Sequence, residues 1–303
     1  MMSNLNWCFD AAAGVMLILF LIYGIRKGAS RTFVPFLVNI VFVVLAFFMS
    51  GVIAGTMYET MVSDSVEMAV EEVVDNFDLN GYFNKEYKEL TLIEDVSEKE
   101  ASVVLSSEKD MDKKFWKLID RTSGVGNQVN EAACFTGLNN IIRVSLQDEL
   151  SKKLPPCAGY FFEDFNEGNE GETYKLISMI HSDRKAAANY IVENCVSDVM
   201  FNFVKLMSFV IASAILMILT SIIFSIAFRN KDQDAMGAGD SLAGAVIELF
   251  NGLMIIAVVA VLVKIIIWSG VTIENIMDEK TLNNSYVFKY LYNLDKYMPV
   301  TKM

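Results

Sequence analysis

Three polar side chains inside long apolar runs are the residues of this sequence best placed to do chemistry. Asn39 lies in a run without any ionisable residue, and Glu248 and Asn251 share a second run. A charged side chain at the centre of a bilayer costs about 2.5 to 3.5 kcal/mol on insertion scales, so it needs a partner or a role. Two roles fit these residues: a path for a proton or an ion, and hydrogen bonds that hold helices together.

The positions of Glu248 and Asn39 within their runs indicate that the two side chains meet. Each lies six residues in from the same end of its run, which is about 9 Å in a helix. We therefore expect Glu248 to hydrogen-bond to Asn39 or to be neutralised by a basic side chain that reaches inward, from Arg26, Lys27 or Arg31.

Four apolar windows must position these side chains. They cover residues 7–25, 33–53, 206–228 and 242–263, the last extending to 268. A helix that crosses a bilayer needs about 20 apolar residues. With 53% hydrophobic residues and a mean hydropathy of +0.38, the chain has too little polar sequence to cover four such helices in water. The sequence predicts an all-α membrane protein with four transmembrane helices.

The basic residues between the windows predict the orientation. Arg26, Lys27 and Arg31 lie between the first two windows without an acid among them, and short loops rich in Lys and Arg face the cytoplasm. This predicts two hairpins in the cytoplasmic membrane, at 1–53 and 201–268, with both termini outside. Residues 269–303 become an outer interfacial tail.

The long middle segment, 54–200, is predicted to be an acidic helical extracytoplasmic domain inserted between the second and third spans. It has twice as many acidic as basic residues, which argues against nucleic acid as a partner. Apolar residues recur at three- and four-residue spacing, and breaks at Gly and Pro divide the segment into five to seven short helices.

Glycines predict where the spans approach each other closely. Gly244 and Gly252 flank Glu248 at four-residue spacing, and Gly24 and Gly28 have the same spacing at the end of the first span. Small residues at this spacing let helix backbones pack tightly.

Aromatic side chains dominate the tail. Either they form an aromatic belt on an interfacial helix, or they form a surface that binds a peptide; the residues are Tyr286, Phe288, Tyr290, Tyr292 and Tyr297.

No catalytic, metal or cofactor site is predicted. His181 is the single histidine, and the four cysteines have no CxxC spacing. Cys134 and Cys157 both lie in the predicted outer domain and would be bridged only if their geometry and compartment allow it. The segment 237–241 lacks the strand and lysine of a phosphate-binding loop, so Asp240 or Ser241 is expected to cap the fourth span instead.

Several segments resemble the colicin V production protein (CvpA) family. They are Asp10 at the start of the first span, Tyr23-Gly24-Ile25-Arg26-Lys27-Gly28-Ala29-Ser30-Arg31, Ser241-Leu242-Ala243-Gly244-Ala245-Val246 with Gly252, and the tail at 284–293. The resemblance implies a cytoplasmic-membrane protein that supports toxin production or secretion and envelope homeostasis, in a family without an established enzymatic activity. It gives Gly24, Arg26, Lys27, Gly28 and Arg31 roles in topology and hairpin packing.

Three classes of function follow. The first is a non-enzymatic membrane accessory whose partners are the lipid bilayer and an envelope or secretion protein. The second is a small channel or transporter that uses Glu248, as a homo-oligomer because four helices leave little room for a pore. Glu248 facing a wet cavity would favour this second class, and Glu248 sealed between helices would not. The third, an enzyme in the middle segment, lacks a recognisable site.

Overall fold

The structure is a computed structural model that describes residues 6–91, 95–123, 129–159, 170–227, 237–271, 277 and 279–294. Throughout these ranges the chain is helical and contains no extended strand. The helices are α1 Trp7–Lys27, α2 Ala29–Met57, α3 Ser63–Asn76, α4 Leu79–Thr91, α5 Glu98–Leu105, α6 Met111–Ser123, α7 Glu131–Asn140, α8 Gln147–Ser151, α9 Glu170–Ser182, α10 Arg184–Ile191, α11 Ser197–Ala227, α12 Ala238–Trp268, α13 Glu279–Asn283 and α14 Phe288–Tyr292. Short π-helical segments lie at Tyr58–Val62, Ile141–Leu146 and Val192–Val196.

Within the described ranges, four helices are long and apolar enough to span a membrane, the number that the sequence predicts. They are α1, α2, α11 and α12, and each extends beyond its predicted window at one or both ends. The windows mark only apolar residues, whereas the helices continue into polar flanks. At 31 residues each, α11 and α12 are about 46 Å long, well over the 30 Å of a hydrocarbon core.

The chain forms two compact units. One consists of residues 1–58 and 201–303, and the other of residues 59–200. The first, here called the membrane unit, contains α1, α2, α12, α13 and α14, together with α11 from Phe201 onward. The second, here called the middle unit, contains α3 to α10.

Two apolar clusters hold the membrane unit together. One joins α2, α11 and α12 around Ala46, Phe209 and Val261. The other joins α1 and α12 to the tail through Ala260, Phe288 and Tyr292. Because α12 contributes to both clusters, it is the central helix of the unit.

A single residue, Gly28, connects α1 to α2. Its φ of 72° lies in the region that L side chains rarely adopt, so glycine makes this sharp turn at low cost. The polar residues between the first two apolar windows therefore belong to the ends of the two helices.

The middle unit is held by an aromatic core and by capping of its helices. Phe83 and Phe115 are fully buried with their ring centroids 4.7 Å apart. Arg184 of α10 donates to the carbonyl oxygens of Val74, at 2.7 Å, and of Phe77, at 3.1 Å, which satisfies acceptors at the end of α3. Because the π-helical segment at Ile141–Leu146 joins α7 to α8, the described residues of this unit form seven helical runs, within the five to seven predicted.

Candidate functional site

A cleft of about 690 Å³ lies among the four long helices of the membrane unit. This volume is within the range of about 300 to 1,000 Å³ that small-molecule sites occupy. The second half of α11 forms one wall, and α1, α2 and α12 form the other. The lining residues used below are Lys27, Arg31, Asn39, Ser221, Ser225 and Glu248.

A chain of hydrogen bonds forms the polar part of the cleft wall. The Nδ2 of Asn39 donates to the Oδ1 of Asn251 at 3.0 Å, and the Nδ2 of Asn251 donates to the Oε2 of Glu248 at 3.0 Å. Glu248 is 4% exposed and Asn39 is 8% exposed. The three residues predicted from the apolar runs therefore come together. The contact between Glu248 and Asn39 passes through Asn251 and is not the direct bond that we expected.

Helix geometry explains why these side chains share one depth. Asn39 lies ten residues after the start of α2 at Ala29, and Glu248 lies ten residues after the start of α12 at Ala238. Each is therefore about 15 Å from the beginning of its helix. Asn251, three residues after Glu248, falls on the same face of α12 and fills the space between the two.

Asp240 ties the two helix starts together. Its Oδ1 accepts a hydrogen bond from the backbone N–H of Ser30 at 3.1 Å, so it caps α2. The fourth span, α12, begins at Ala238, and no side-chain cap bonds to its first turn. The expectation that Asp240 or Ser241 caps the fourth span is therefore wrong, since both residues lie inside α12. The carboxylate of Asp240 lies in the first turn of α12 and accepts a hydrogen bond from the backbone of α2.

The basic motif divides between the cleft and the surface. Lys27 and Arg31 line the cleft, and the Nζ of Lys27 lies 5.1 Å from the ring centroid of Tyr23. Arg26 is exposed and does not line it. Arg31 is two residues into α2, so both cleft cations lie near the ends of their helices, while Glu248 lies much deeper.

The glycines lie where α1 and α12 meet. A Cβ atom on Gly24 would be 2.3 Å from the carbonyl oxygen of Gly244, and a Cβ atom on Gly244 would be 2.6 Å from the carbonyl carbon of Gly28. Gly252 faces Phe20 of α1, whose ring would be 2.7 Å from an added Cβ atom. This close approach places the face of α12 that carries Glu248 against the end of α1.

The tail is fastened to α1 by Asp10. Its carboxylate accepts backbone hydrogen bonds from Tyr286 at 2.7 Å, Val287 at 3.0 Å and Phe288 at 2.8 Å, which caps the start of α14. Tyr290 and Tyr286 are exposed. Tyr297 lies outside the described residues.

Phe288 and Tyr292 are buried against α1 and α12, so neither belongs to an exposed aromatic belt or to a peptide-binding surface. Lys264 is 3% exposed, with its Nζ 5.1 Å from the ring centroid of Tyr292 and 5.0 Å from that of Trp268. A lysine near the end of a spanning helix ordinarily extends toward the membrane interface, but Trp268 and the tail enclose Lys264.

The middle unit contains a Ser–His contact that sequence reasoning missed. The Oγ of Ser102 lies 2.9 Å from the Nε2 of His181, between α5 and α9, which are far apart in the sequence. A hydrolase also needs an acid that orients the histidine and a cleft for the substrate. Within the described ranges no carboxylate is bonded to His181, and none of the four described pockets is lined by either residue. We interpret the contact as a link between helices.

The cysteines of the middle unit are free thiols. Cys134 and Cys157 are fully buried and unbridged, and burial raises the pKa of each thiol to about 12. A thiol with so high a pKa holds almost no thiolate at neutral pH and is a poor nucleophile. In the part of the chain that the structure describes, no three His, Cys, Asp or Glu side chains are grouped to hold a metal.

Comparison with protein-family models, with curated proteins and with solved structures finds no match for this chain. Its function must therefore be argued from the cleft itself.

Three hydroxyl residues of the cleft wall, all on α11, do not stand out in the sequence. Ser221, Ser225 and Thr220 interrupt the apolar run of α11 and line the cleft. Serine and threonine are common in membrane helices, where they bond to the preceding turn, as Thr220 does to the carbonyl of Leu216. Only packing shows that these residues line the same cleft as Glu248.

Proposed function

We propose that this chain is a non-enzymatic membrane protein that takes a small polar solute into the cleft, as a subunit of a channel or transporter. The observation that carries the proposal is the position of Glu248, a nine-tenths buried acid that lines a ligand-sized cleft inside the four spans. Buried acids within spans mark paths of ions and polar solutes. A purely structural acid needs no such cleft beside it.

The proposed orientation places the mouth of the cleft at the cytoplasm. Lys27 and Arg31 lie at the end of the spans where α1 ends and α2 begins, and basic residues concentrate on the cytoplasmic side. In this orientation both termini and the middle unit are outside the cell.

The far end of the cleft is closed by the apolar cluster around Ala46, Phe209 and Val261. Passage of a solute therefore requires either a movement of α11 away from α2 and α12 or a pore completed by another copy of the chain. The second route is the homo-oligomer expected from the small number of spans.

Cysteine labelling tests whether water enters the cleft. Ser221→Cys and Ser225→Cys place thiols on the cleft wall, and Ile223→Cys, at a position 58% exposed but outside the cleft, is the matched control. In a background with Cys8→Ser, we expect a membrane-impermeant maleimide to label the two cleft thiols from the cytoplasmic side and to leave the control unlabelled. A cleft filled by lipid would leave all three unlabelled, and the proposal would then be abandoned.

A second candidate is the accessory protein that the resemblance to the CvpA family implies. One observation favours it: the residues that carry the resemblance contact each other, with Asp10 bonded to the tail and Gly24 packed on Gly244. The motif would then preserve a scaffold that presents the tail to an envelope or secretion protein.

Crosslinking in cells tests this second candidate. We expect one export or envelope protein to be recovered with the wild-type chain and lost with Asp10→Asn, which loosens the tail. Equal recovery of the same neighbours by both variants would count against it.

A further inference from the structure

We infer that the middle unit binds a second copy of this chain, and that a basic groove of one copy receives an acidic helix face of the other. The groove lies between α5 and α6, and the acidic face lies on α3. Both surfaces belong to the middle unit, so the inference goes beyond the cleft and does not depend on the solute path.

The groove between α5 and α6 has a volume of about 490 Å³ and is basic, although the unit as a whole is acidic. Its charged residues are four cations and one carboxylate: Lys99, Lys114, Lys117, Arg121 and Glu100. Glu100 pairs with Arg121 at 2.8 Å, and Lys114 donates to a neutral hydroxyl group. No described carboxylate forms an ion pair with Lys99 or Lys117. The groove therefore keeps an excess of positive charge.

The floor of the groove is apolar. Val104 and Leu118 are buried there, whereas Val103 is 62% exposed. Within the described residues of the middle unit, only four large apolar side chains are exposed, and they are Met61, Met68, Val103 and Val144. An apolar centre within a charged rim is typical of a protein interface. A small inorganic anion would make no use of this floor.

The exposed face of α3 has the complementary pattern. Asp64, Glu67 and Glu71 are exposed on it, and Met68 among them is 63% exposed. No described cation forms an ion pair with these three acids. Their order is acid, acid, methionine, acid at relative positions 0, 3, 4 and 7, and α6 has base, base, leucine, base at the same spacing from Lys114. Residues at this spacing share one helix face, so the two faces agree in spacing and are opposite in charge.

The length of the basic stripe favours a helix over a lipid phosphate. Lys114 and Arg121 are seven residues apart, which is about 10 Å along α6. A single phosphate contacts only part of such a stripe. A helix that carries carboxylates at the same spacing can face all of it and can place its methionine on Val103.

The two surfaces of one copy do not serve each other. Within the unit, α3 packs mainly on α8 and α10, whereas α5 packs mainly on α4, α6 and α9. The acidic face must therefore come from another copy. Because the two surfaces differ, each copy offers one to either neighbour, and contacts of this kind close into rings or extend as chains. Such a contact would hold together the copies that complete a pore.

Crosslinking between full-length copies tests the inference. Met68→Cys and Val103→Cys, both with Cys8→Ser, carry tags of different mass and are reconstituted together in phosphatidylcholine vesicles; the other three cysteines are buried. We expect a short bismaleimide to join them into a product with both tags. Val144→Cys, 57% exposed and outside both surfaces, is the matched control for Val103→Cys. It should give at least about tenfold less mixed product, since no contact holds it near the partner thiol.

Charge reversal tests how the surfaces pair. Glu67→Lys in the Met68→Cys copy, or Lys117→Glu in the Val103→Cys copy, should lower the mixed product roughly tenfold, because like charges then face each other. When both reversed copies are mixed, the charges are opposite again and the product should return. Lys109→Glu, at an exposed lysine outside the groove, should leave the product unchanged.

Three results would overturn the inference. The first is mixed product that is absent or no greater than with Val144→Cys, and the second is product that survives both charge reversals. The third is selective co-purification of phosphatidylglycerol over phosphatidylcholine that is lost in Lys117→Glu, which would assign the groove to an anionic lipid headgroup. Each of these results leaves the solute path standing, because cysteine labelling of the cleft tests that path separately.

Discussion

Replacing Gly24 by alanine should destabilise the contact between α1 and α12. The added Cβ atom would lie 2.3 Å from the carbonyl oxygen of Gly244 and 2.8 Å from the Cα of Ala245, both backbone atoms that cannot rotate away. A carbon and a carbonyl oxygen normally approach to about 3.3 Å, so the two helices must separate by about 1 Å at this point. Overpacking of this kind costs about 1 to 3 kcal/mol.

Gly14→Ala is the matched control, because it lies on the same helix and an added Cβ atom would meet nothing within 4 Å. Both variants gain the same helix propensity, up to about 1 kcal/mol, so the difference between them isolates the clash. The assay is reversible unfolding of the full-length chain in mixed micelles titrated with sodium dodecyl sulfate. If Gly24→Ala is as stable as Gly14→Ala, α1 and α12 do not pack through Gly24, and the geometry of the cleft wall is wrong.

Three further predictions concern the middle unit. Arg184→Met should lower the free energy of unfolding by about 2 kcal/mol, because it leaves the last carbonyl groups of α3 without a charged donor. The control, Lys185→Met at an exposed position, should change it by less than about 0.5 kcal/mol. Denaturant unfolding of the full chain compares the two variants, and equal losses would contradict the role of Arg184 in capping α3. Burial raises the pKa of Glu86, so the native state binds the proton of this carboxyl more tightly than the unfolded state does. The stability advantage of Glu86→Gln over the wild type should therefore shrink as the pH falls from about 7 to about 5. Thermal unfolding of both proteins across this range measures the advantage, and a constant difference would contradict the prediction. Cys134 and Cys157 should react with iodoacetamide only after unfolding, because burial raises the pKa of both thiols. Mass spectrometry of the alkylated chain measures the reaction, and rapid labelling of the native chain would contradict the burial of the two thiols.

The sequence predicted the spans because the hydrophobic requirement of a bilayer acts on every residue of a window. It also placed Asn39 and Glu248 at one depth, since the rise of a helix is fixed and both runs begin at the same side. The mediating role of Asn251 did not follow, because it depends on the rotation of α12 about its axis. That rotation is set by the contact of Gly244 with Gly24, which lies about 220 residues away in the chain.

The capping contacts were the least predictable part of the fold. A carboxylate in the first turn of a helix usually stabilises its own helix, and the positions of Asp10 and Asp240 in the sequence predict that role for both. In the structure each carboxylate bonds to the backbone of another helix. Propensity reasoning is local, and it has no means of choosing between the N–H groups of one helix and those of a neighbour that arrives later in the chain.

The hold of Asp10 on the tail sets a condition on biosynthesis. Its acceptors are filled by Tyr286, Val287 and Phe288, which leave the ribosome long after α1 does. At about 5 to 20 residues per second, α1 must wait on the order of 15 to 50 s for these partners. During that interval the first helix lies in the membrane with an unpaired carboxylate and an uncovered glycine face. A chain that stops before the tail would keep the unpaired carboxylate, and it would give membrane proteases a means to recognise unfinished copies.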